Sequence, residues 1–331
     1  MAKSGPLEII EGFYLTYIIN HFHQNGVLER LTGERDASEI AGEFGYDHEL
    51  FDTLLDFAYQ ATDILIRNRS GNYLLNPKYQ RYYSLGFQLD KFIASYGPSL
   101  VQLEQSLSSK TLGRQLVNRK AEARAYHTIG SPPNPLVVEI IQELKLHSLL
   151  DLGCGPATLL TELCEADQKF RAWGIDESAA MCKVARERVA RAHLTKRIRI
   201  IHADARNLGT HLRPQIRQSI EALQSKGLFN ELFRYGNEEA IKYLLRLKKW
   251  FPGRLLFIVD YYGKLTHVST VAAKYRHTLI HDVIQAITAQ GIPPSDLEGW
   301  GAVYDAADCS IEHAFEGDSQ GIEWFVHLVR L

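Results

Sequence analysis

Apolar positions at helical spacing open the chain. Leu7, Ile10, Phe13, Tyr17, Ile18 and Phe22 recur every three or four residues, so residues 7 to 30 predict an amphipathic helix. Asp36 precedes a short apolar-periodic run ending in Gly45, the start and stop signals of a second helix. Asp47 opens a third, through Phe51, Leu54, Leu55 and Phe57. Ile64 to Asn68 and Asn72 to Leu75 flank the turn Arg69-Ser-Gly and predict a hairpin. Helix, helix, hairpin is the order of a winged helix. Residues 86 to 128 read as mostly helical. Ser131-Pro-Pro-Asn-Pro marks a loop before a helix from Leu136 to Leu144.

From Ser148 the pattern changes to short apolar runs alternating with helical ones. Strands are expected at Leu149–Leu152, Phe170–Asp176, Arg197–Ala205, Ile220–Lys226, Arg254–Gly263, Cys309–Ala314 and Glu323–Arg330. Helices lie between most of them, and the one opened by Asn237 runs to Trp250. This alternation predicts an α/β protein with a doubly wound, mostly parallel seven-stranded sheet. The expected division is a helical module over residues 1–110 and the sheet domain over 111–331.

Charge narrows the partners. The 331 residues carry a formal net charge of −2, which gives no global attraction for nucleic acid or an anionic membrane. In the winged-helix reading the helix opened by Asp47 would face DNA, yet it presents Glu49, Asp52 and Asp56, with no Lys or Arg before Arg67. Carboxylates there repel a duplex. The module reads instead as a dimerisation and substrate-lid element of a homodimer. The four cysteines form no CxxC pair, and the longest apolar runs are of strand length. Glu8 and Glu11 interrupt the N-terminal apolar stretch and exclude a secretory core there. The expectation is a soluble cytoplasmic protein.

The candidate chemistry gathers at strand ends. Leu149-Leu-Asp-Leu-Gly-Cys-Gly-Pro-Ala-Thr is an apolar strand, a glycine turn and a helix start. Gly153 and Gly155 let the backbone turn sharply and let a ligand approach. Asp176 ends the next strand, 23 residues after Gly153, where an acidic side chain can accept both hydroxyls of a ribose. Asp204 and Ala205 end the third, beside the expected place of an adenine ring. Taken singly, these aspartates are also ordinary helix caps.

Leu149 to Thr158, Asp176 and Asp204-Ala205 together resemble class I S-adenosylmethionine-dependent methyltransferases, over roughly residues 120 to 331. The N-terminal pattern resembles, more loosely, the winged helix of small-molecule O- and C-methyltransferases. The resemblance implies a Rossmann-like domain in which Asp151, Gly153 and Gly155 hold the methionine moiety, Asp176 the ribose, and Asp204 with Ala205 the adenine. It implies S-adenosylmethionine as co-substrate and methyl transfer to a small biosynthetic acceptor at O, C or N. The same fold also supports aminocarboxypropyl transfer or cyclisation from that co-substrate, and a non-catalytic winged-helix regulator is a further alternative.

Relatives that methylate oxygen carry a histidine base after the fourth strand, where this chain has Asn230 and Glu231. Glu231 can act as base if burial raises its pKa, or it can simply salt-link a helix. His277 and His281 lie four apart on one helical face, as in α-keto acid C-methyltransferases, some of which hold the substrate through a histidine-bound metal. Here the absence of a histidine at 230 argues against a metal, and His281 or His277 is the alternative base. Asn230, Tyr261 and Trp300 are candidate pocket residues, and Trp300 is equally a core residue.

Overall fold

The computed structural model describes residues 5–79, 85–109, 111–127, 133–268, 272–319 and 322–331. The chain divides into two compact units, residues 2–97 and 98–331.

The first unit begins with α1 (Pro6–Gln24), followed by α2 (Val27–Arg30), α3 (Ala37–Phe44) and α4 (His48–Ala61). The single helix expected over 7–30 is broken, because Gly26 adopts a left-handed φ of 83° that ends the turn begun at Asn25. Asp36 caps α3 by accepting the Ser38 and Glu39 amides, and Asp47 caps α4 through the Leu50 amide. The hairpin follows as β1 (Leu65–Arg67) and β2 (Tyr73–Leu75). Ile19, Phe22, Leu31, Ile40, Phe51, Leu55 and Tyr73 make its core. The apolar face of α1 departs from expectation: Leu7, Ile10, Phe13 and Tyr17 are exposed rather than buried.

The second unit is mainly a seven-stranded sheet flanked by helices. Its strands are β3 (Ser148–Leu152), β4 (Arg171–Asp176), β5 (Ile198–His202), β6 (Ala222–Lys226), β7 (Leu255–Tyr261), β8 (Ser310–Ser319) and β9 (Ile322–Arg330). The order is β5-β4-β3-β6-β7-β9-β8, parallel up to β7 and antiparallel through the closing hairpin. This is the Rossmann-like doubly wound sheet that the alternation predicts. The order reverses at β3, so the crevice of such a sheet opens between the carboxyl ends of β3 and β6. Every residue of β3 and β7 is buried, as strands covered on both faces require. Leu150, Leu152, Leu256 and Ile258 join one core, and Leu149, Phe257 and Val259 the other, on opposite faces of the pleat.

The helix expected from Leu136 begins earlier, at Pro133. Residues 131 and 132 lie outside the described residues, and the helix Pro133–Glu143 already includes the other prolines. Proline is tolerated in a first turn because its missing N–H would have no helical acceptor there.

One buried polar network was not expected. His327 on β9 is fully buried between two tyrosines, its Nδ1 3.0 Å from Tyr304 Oη and its Nε2 3.3 Å from Tyr262 Oη. Tyr262 donates to Glu316 Oε1 at 2.5 Å, so its oxygen is free to accept from Nε2–H, while Tyr304 donates to Nδ1. Burial holds the imidazole neutral, with its pKa lowered to about 4. The stabilisation from this neutral histidine is present above an unfolded pKa of about 6.5 and is lost as pH falls from there through about 4. Unfolding free energy is therefore expected to drop by about 2 kcal/mol more in the native chain than in His327→Gln between pH 7 and pH 5. Urea titrations at the two pH values measure this, and equal drops would show that another group carries the dependence.

Candidate functional site

The glycine turn after β3 is fastened to the end of β4. The carbonyl of Ile175 accepts both the Gly153 amide at 2.8 Å and the Cys154 amide at 3.0 Å. One oxygen of Asp176 accepts the Gly155 amide at 2.9 Å, and the other accepts Ser178 N at 2.8 Å. Gly153 and Gly155 have φ of 78° and 49°, which a side chain would strain. A Cβ on Gly155 would meet nothing within 4 Å, so the space above it is open to a ligand. Ala157 also sits in the left-handed region, at 57°, and starts the helix Thr158–Ala166.

Buried polar atoms collect beside this turn. Among the described residues, Asp151 Oδ1, Thr158 Oγ1, Gln224 Oε1, Ser225 Oγ and Asn230 Oδ1 are buried without a hydrogen-bond partner. Asp151 pairs with Gln224 in the β3–β6 register, and Leu152 with Ser225, so these groups share the reversal point of the strand order. Burial raises the Asp151 pKa to about 7, against the pull of Lys226. Gln224 and Ser225 were missed in the sequence; their signal was two polar residues inside an otherwise buried strand.

Asp204 caps the turn Ala205–Thr210 through the Arg206 amide, and both its oxygens also receive Arg206 Nε, at 2.8 and 3.1 Å. Burial opposes ionisation of Asp204, but these bonds outweigh it and its pKa falls. The Ala205 carbonyl accepts Tyr243 Oη at 3.1 Å.

Glu231 lies in the short turn Phe229–Leu232 after β6. Burial drives its pKa up to about 7 even though Arg114 stands 3.2 Å away. The same guanidinium nitrogen of Arg114 contacts Glu177 Oε1 at 2.5 Å, and Glu177 reaches Arg206 at 3.3 Å. Arg114 thus ties Glu231 to the residue beside Asp176. The sequence reading gave it no role.

A second group forms around β7. The Asp260 carboxylate accepts the amides of Asn230 and Tyr261, both at 3.0 Å, which fixes the backbone of the turn carrying Glu231. Tyr261 donates to Asp282 Oδ1 at 2.8 Å, and its ring meets that of His281 edge-on with centroids 4.5 Å apart. Asp282 Oδ2 accepts the Lys264 and Leu265 amides, each at 2.8 Å. His277 and His281 are half-buried on the helix Arg276–Ile287. No cluster of three or more His, Cys, Asp or Glu side chains able to hold a metal occurs among the described residues. Trp300 is fully buried against Phe233 and Phe325, which is the core placement.

Residues 149–241 match the model of the methyltransferase-domain family. Over that stretch the chain is similar to a methyltransferase domain. No curated protein matches the sequence. Solved structures share the fold of this chain over nearly its whole length. The mitomycin 7-O-methyltransferase MmcR is 16% identical, with a TM-score of 0.72, and the match covers 98% of this chain and 96% of that one. PigF, solved with SAH, is 13% identical at a TM-score of 0.74, covering 99% and 100%. Human N-acetylserotonin methyltransferase in complex with SAM is 12% identical at 0.70, covering 99% and 98%. The chain resembles the two-domain S-adenosylmethionine-dependent methyltransferases, as the sequence motifs imply.

The turn's fit onto β4 depends on Gly174. A Cβ there would lie 2.6 Å from Cys154 Sγ and 2.9 Å from Cys154 Cβ. Gly174→Ala is expected to cost about 1–3 kcal/mol of stability, read from urea unfolding midpoints. A wild-type midpoint would mean that the turn is not held tightly.

Proposed function

We propose that the protein is an S-adenosylmethionine-dependent methyltransferase acting on a small-molecule acceptor. The observation carrying this reading is the set of unsatisfied buried polar groups at Asp151, Thr158, Gln224, Ser225 and Asn230, beside the Asp176-clamped glycine turn. Each such group costs about 1–3 kcal/mol when left without a partner, so several at one strand end suit a polar ligand rather than packing.

Asp151 is suited to the ammonium of the methionine moiety, and the Gly153–Gly155 backbone to its close approach. Asp176 is suited to the ribose. Asp204 and Ala205 are suited to the adenine, with Asp204 sharing its carboxylate with Arg206. When bound, the co-substrate supplies an electrophilic methyl carbon on its sulfonium. The protein aligns an acceptor atom for in-line attack and takes up a proton where the acceptor must lose one. Glu231 is the proposed base, since its pKa of about 7 suits proton transfer near neutrality. His281, held against Tyr261, and His277 one turn earlier are the proposed acceptor-side groups, with Asn230 and Tyr261 lining the pocket. O-, N- or C-methylation of a biosynthetic acceptor all fit this arrangement.

Incubation with methyl-labelled S-adenosylmethionine and a fractionated metabolite extract tests the reading. Labelled small molecule with S-adenosylhomocysteine is expected, and release of methylthioadenosine would sink methyl transfer. As the base, Glu231 must be ionised, so kcat/KM is expected to rise with pH through about 7 and then level. Glu231→Gln should lower kcat by about a hundredfold and flatten that rise; an unchanged profile would pass the role to the histidines.

The first unit is proposed as a winged-helix dimerisation domain. The exposed face of Leu7, Ile10, Phe13 and Tyr17 supports a homodimer, because an apolar patch of this kind is costly in water. Asp56 on α4 is paired with Arg67, and Asp52 faces Tyr73, an acidic surface that disfavours DNA. No helix of the described residues is long and apolar enough to cross a membrane, in keeping with the proposed cytoplasmic location. Light scattering is expected to give a dimer for the native chain and a monomer for Phe13→Glu/Tyr17→Glu. A native monomer would refute the proposal.

A further inference from the structure

At the opposite end of β4 and β5 from Asp176 and Asp204 lies a cavity of about 430 Å³. It is lined by Arg171, Arg186, Lys196, Arg197 and Arg199, with Trp173 among them, and by no carboxylate. Arg171, Arg186, Lys196 and Arg199 are exposed, and none of them takes part in an ion pair among the described residues. Arg197 is spent on structure, its Nη1 donating to the carbonyls of Cys164 and Asp167 at 2.7 and 2.8 Å. Arg186 reaches the Ile200 carbonyl at 3.4 Å, which leans its guanidinium over the edge strand.

Five cations around one concavity are unusual in a chain of net charge −2. Edge strands do carry lysine and arginine to repel stray strands, and β5 is the edge of this sheet. That accounts for Lys196, Arg197 and Arg199. It does not account for Arg171, at the start of the interior strand β4, or for Arg186 on the helix Ala179–Arg191, which line the same space. Trp173 and Arg199 are register partners on the sheet face that carries Ile175 and Ile201, while Arg186 reaches the edge strand from the helix packed on the opposite face, so the lining groups meet around that edge.

We propose that this cavity is a second ligand site, separate from the methyl-transfer crevice, which takes a nucleoside diphosphate or a similar polyphosphate attached to an aromatic base. Guanidinium forks match phosphate oxygens in pairs, which explains arginine as the main lining residue. The indole gives the base a stacking surface. The volume is in the range of small-molecule sites and too small for a folded partner. The site does not rest on the proposed activity, since its residues are distinct from those of the crevice.

Calorimetry on the full chain, with saturating S-adenosylhomocysteine to keep adenosine out of the crevice, tests this with inorganic pyrophosphate and with ADP as probes. One-to-one binding of both is expected, ADP at least tenfold tighter and quenching the fluorescence that Trp173→Phe removes. Arg186→Gln/Arg199→Gln should weaken both probes at least tenfold while leaving S-adenosylhomocysteine affinity unchanged. No saturable binding at millimolar probe, or binding indifferent to the double substitution, would overturn the site and leave the cations as guards of the edge. Equal affinities for pyrophosphate and ADP would overturn its assignment to a nucleotide. Failure of S-adenosylhomocysteine itself to bind would count against the crevice reading alone, because pyrophosphate binding is then measured without it.

Discussion

The site rests on the closure of the glycine turn against β4. Two amides share the Ile175 carbonyl and a third is taken by Asp176, so three successive residues, 153 to 155, are held to the neighbouring strand. This satisfies backbone donors that a tight turn would otherwise leave buried and unpaired. It also explains the lack of a side chain at Gly174, where the turn descends onto the strand. With the turn fixed, the helix Thr158–Ala166 starts at one defined place and the crevice above Gly155 stays open.

Around that fixed point the protein tolerates unfavourable chemistry. Asp151 is buried without a partner for one oxygen, and its pKa near 7 shows how strongly burial opposes its charge. Gln224 and Ser225 place further unsatisfied groups on a strand that otherwise contributes to the core. The chain from Tyr304 through His327 and Tyr262 to Glu316 is, by contrast, a closed network.

Charge links the parts of the crevice. Arg114 contacts Glu177, next to Asp176, and Glu231. Arg206 joins Glu177 to Asp204. In a partly buried setting such pairs are less screened than surface ones. Asp204 does not stand free for a base, as its sequence position suggested, but shares its carboxylate with a neighbouring arginine.

Local pattern determined most of the architecture. The caps at Asp36 and Asp47 are short-range, fixed by hydrogen bonds within three residues, and the strand and helix alternation and the glycine turn with Asp176 downstream show as patterns of residue type along the chain. Boundaries failed where one residue's backbone state decided the outcome, at Gly26 and at the prolines beginning at Pro133. The glycine turn was legible because a tight turn restricts which amino acids fit. What joins Arg114 to Glu231, Tyr261 to Asp282, or five cations to one cavity was not legible, since those contacts span tens of residues and depend on strand order. Burial is equally a property of the fold: the sequence offered Trp300 as pocket or core, and only packing against Phe233 and Phe325 gave it to the core. Tertiary burial likewise raises the pKa of Asp151 and of Glu231 and lowers that of His327, which no residue pattern could state.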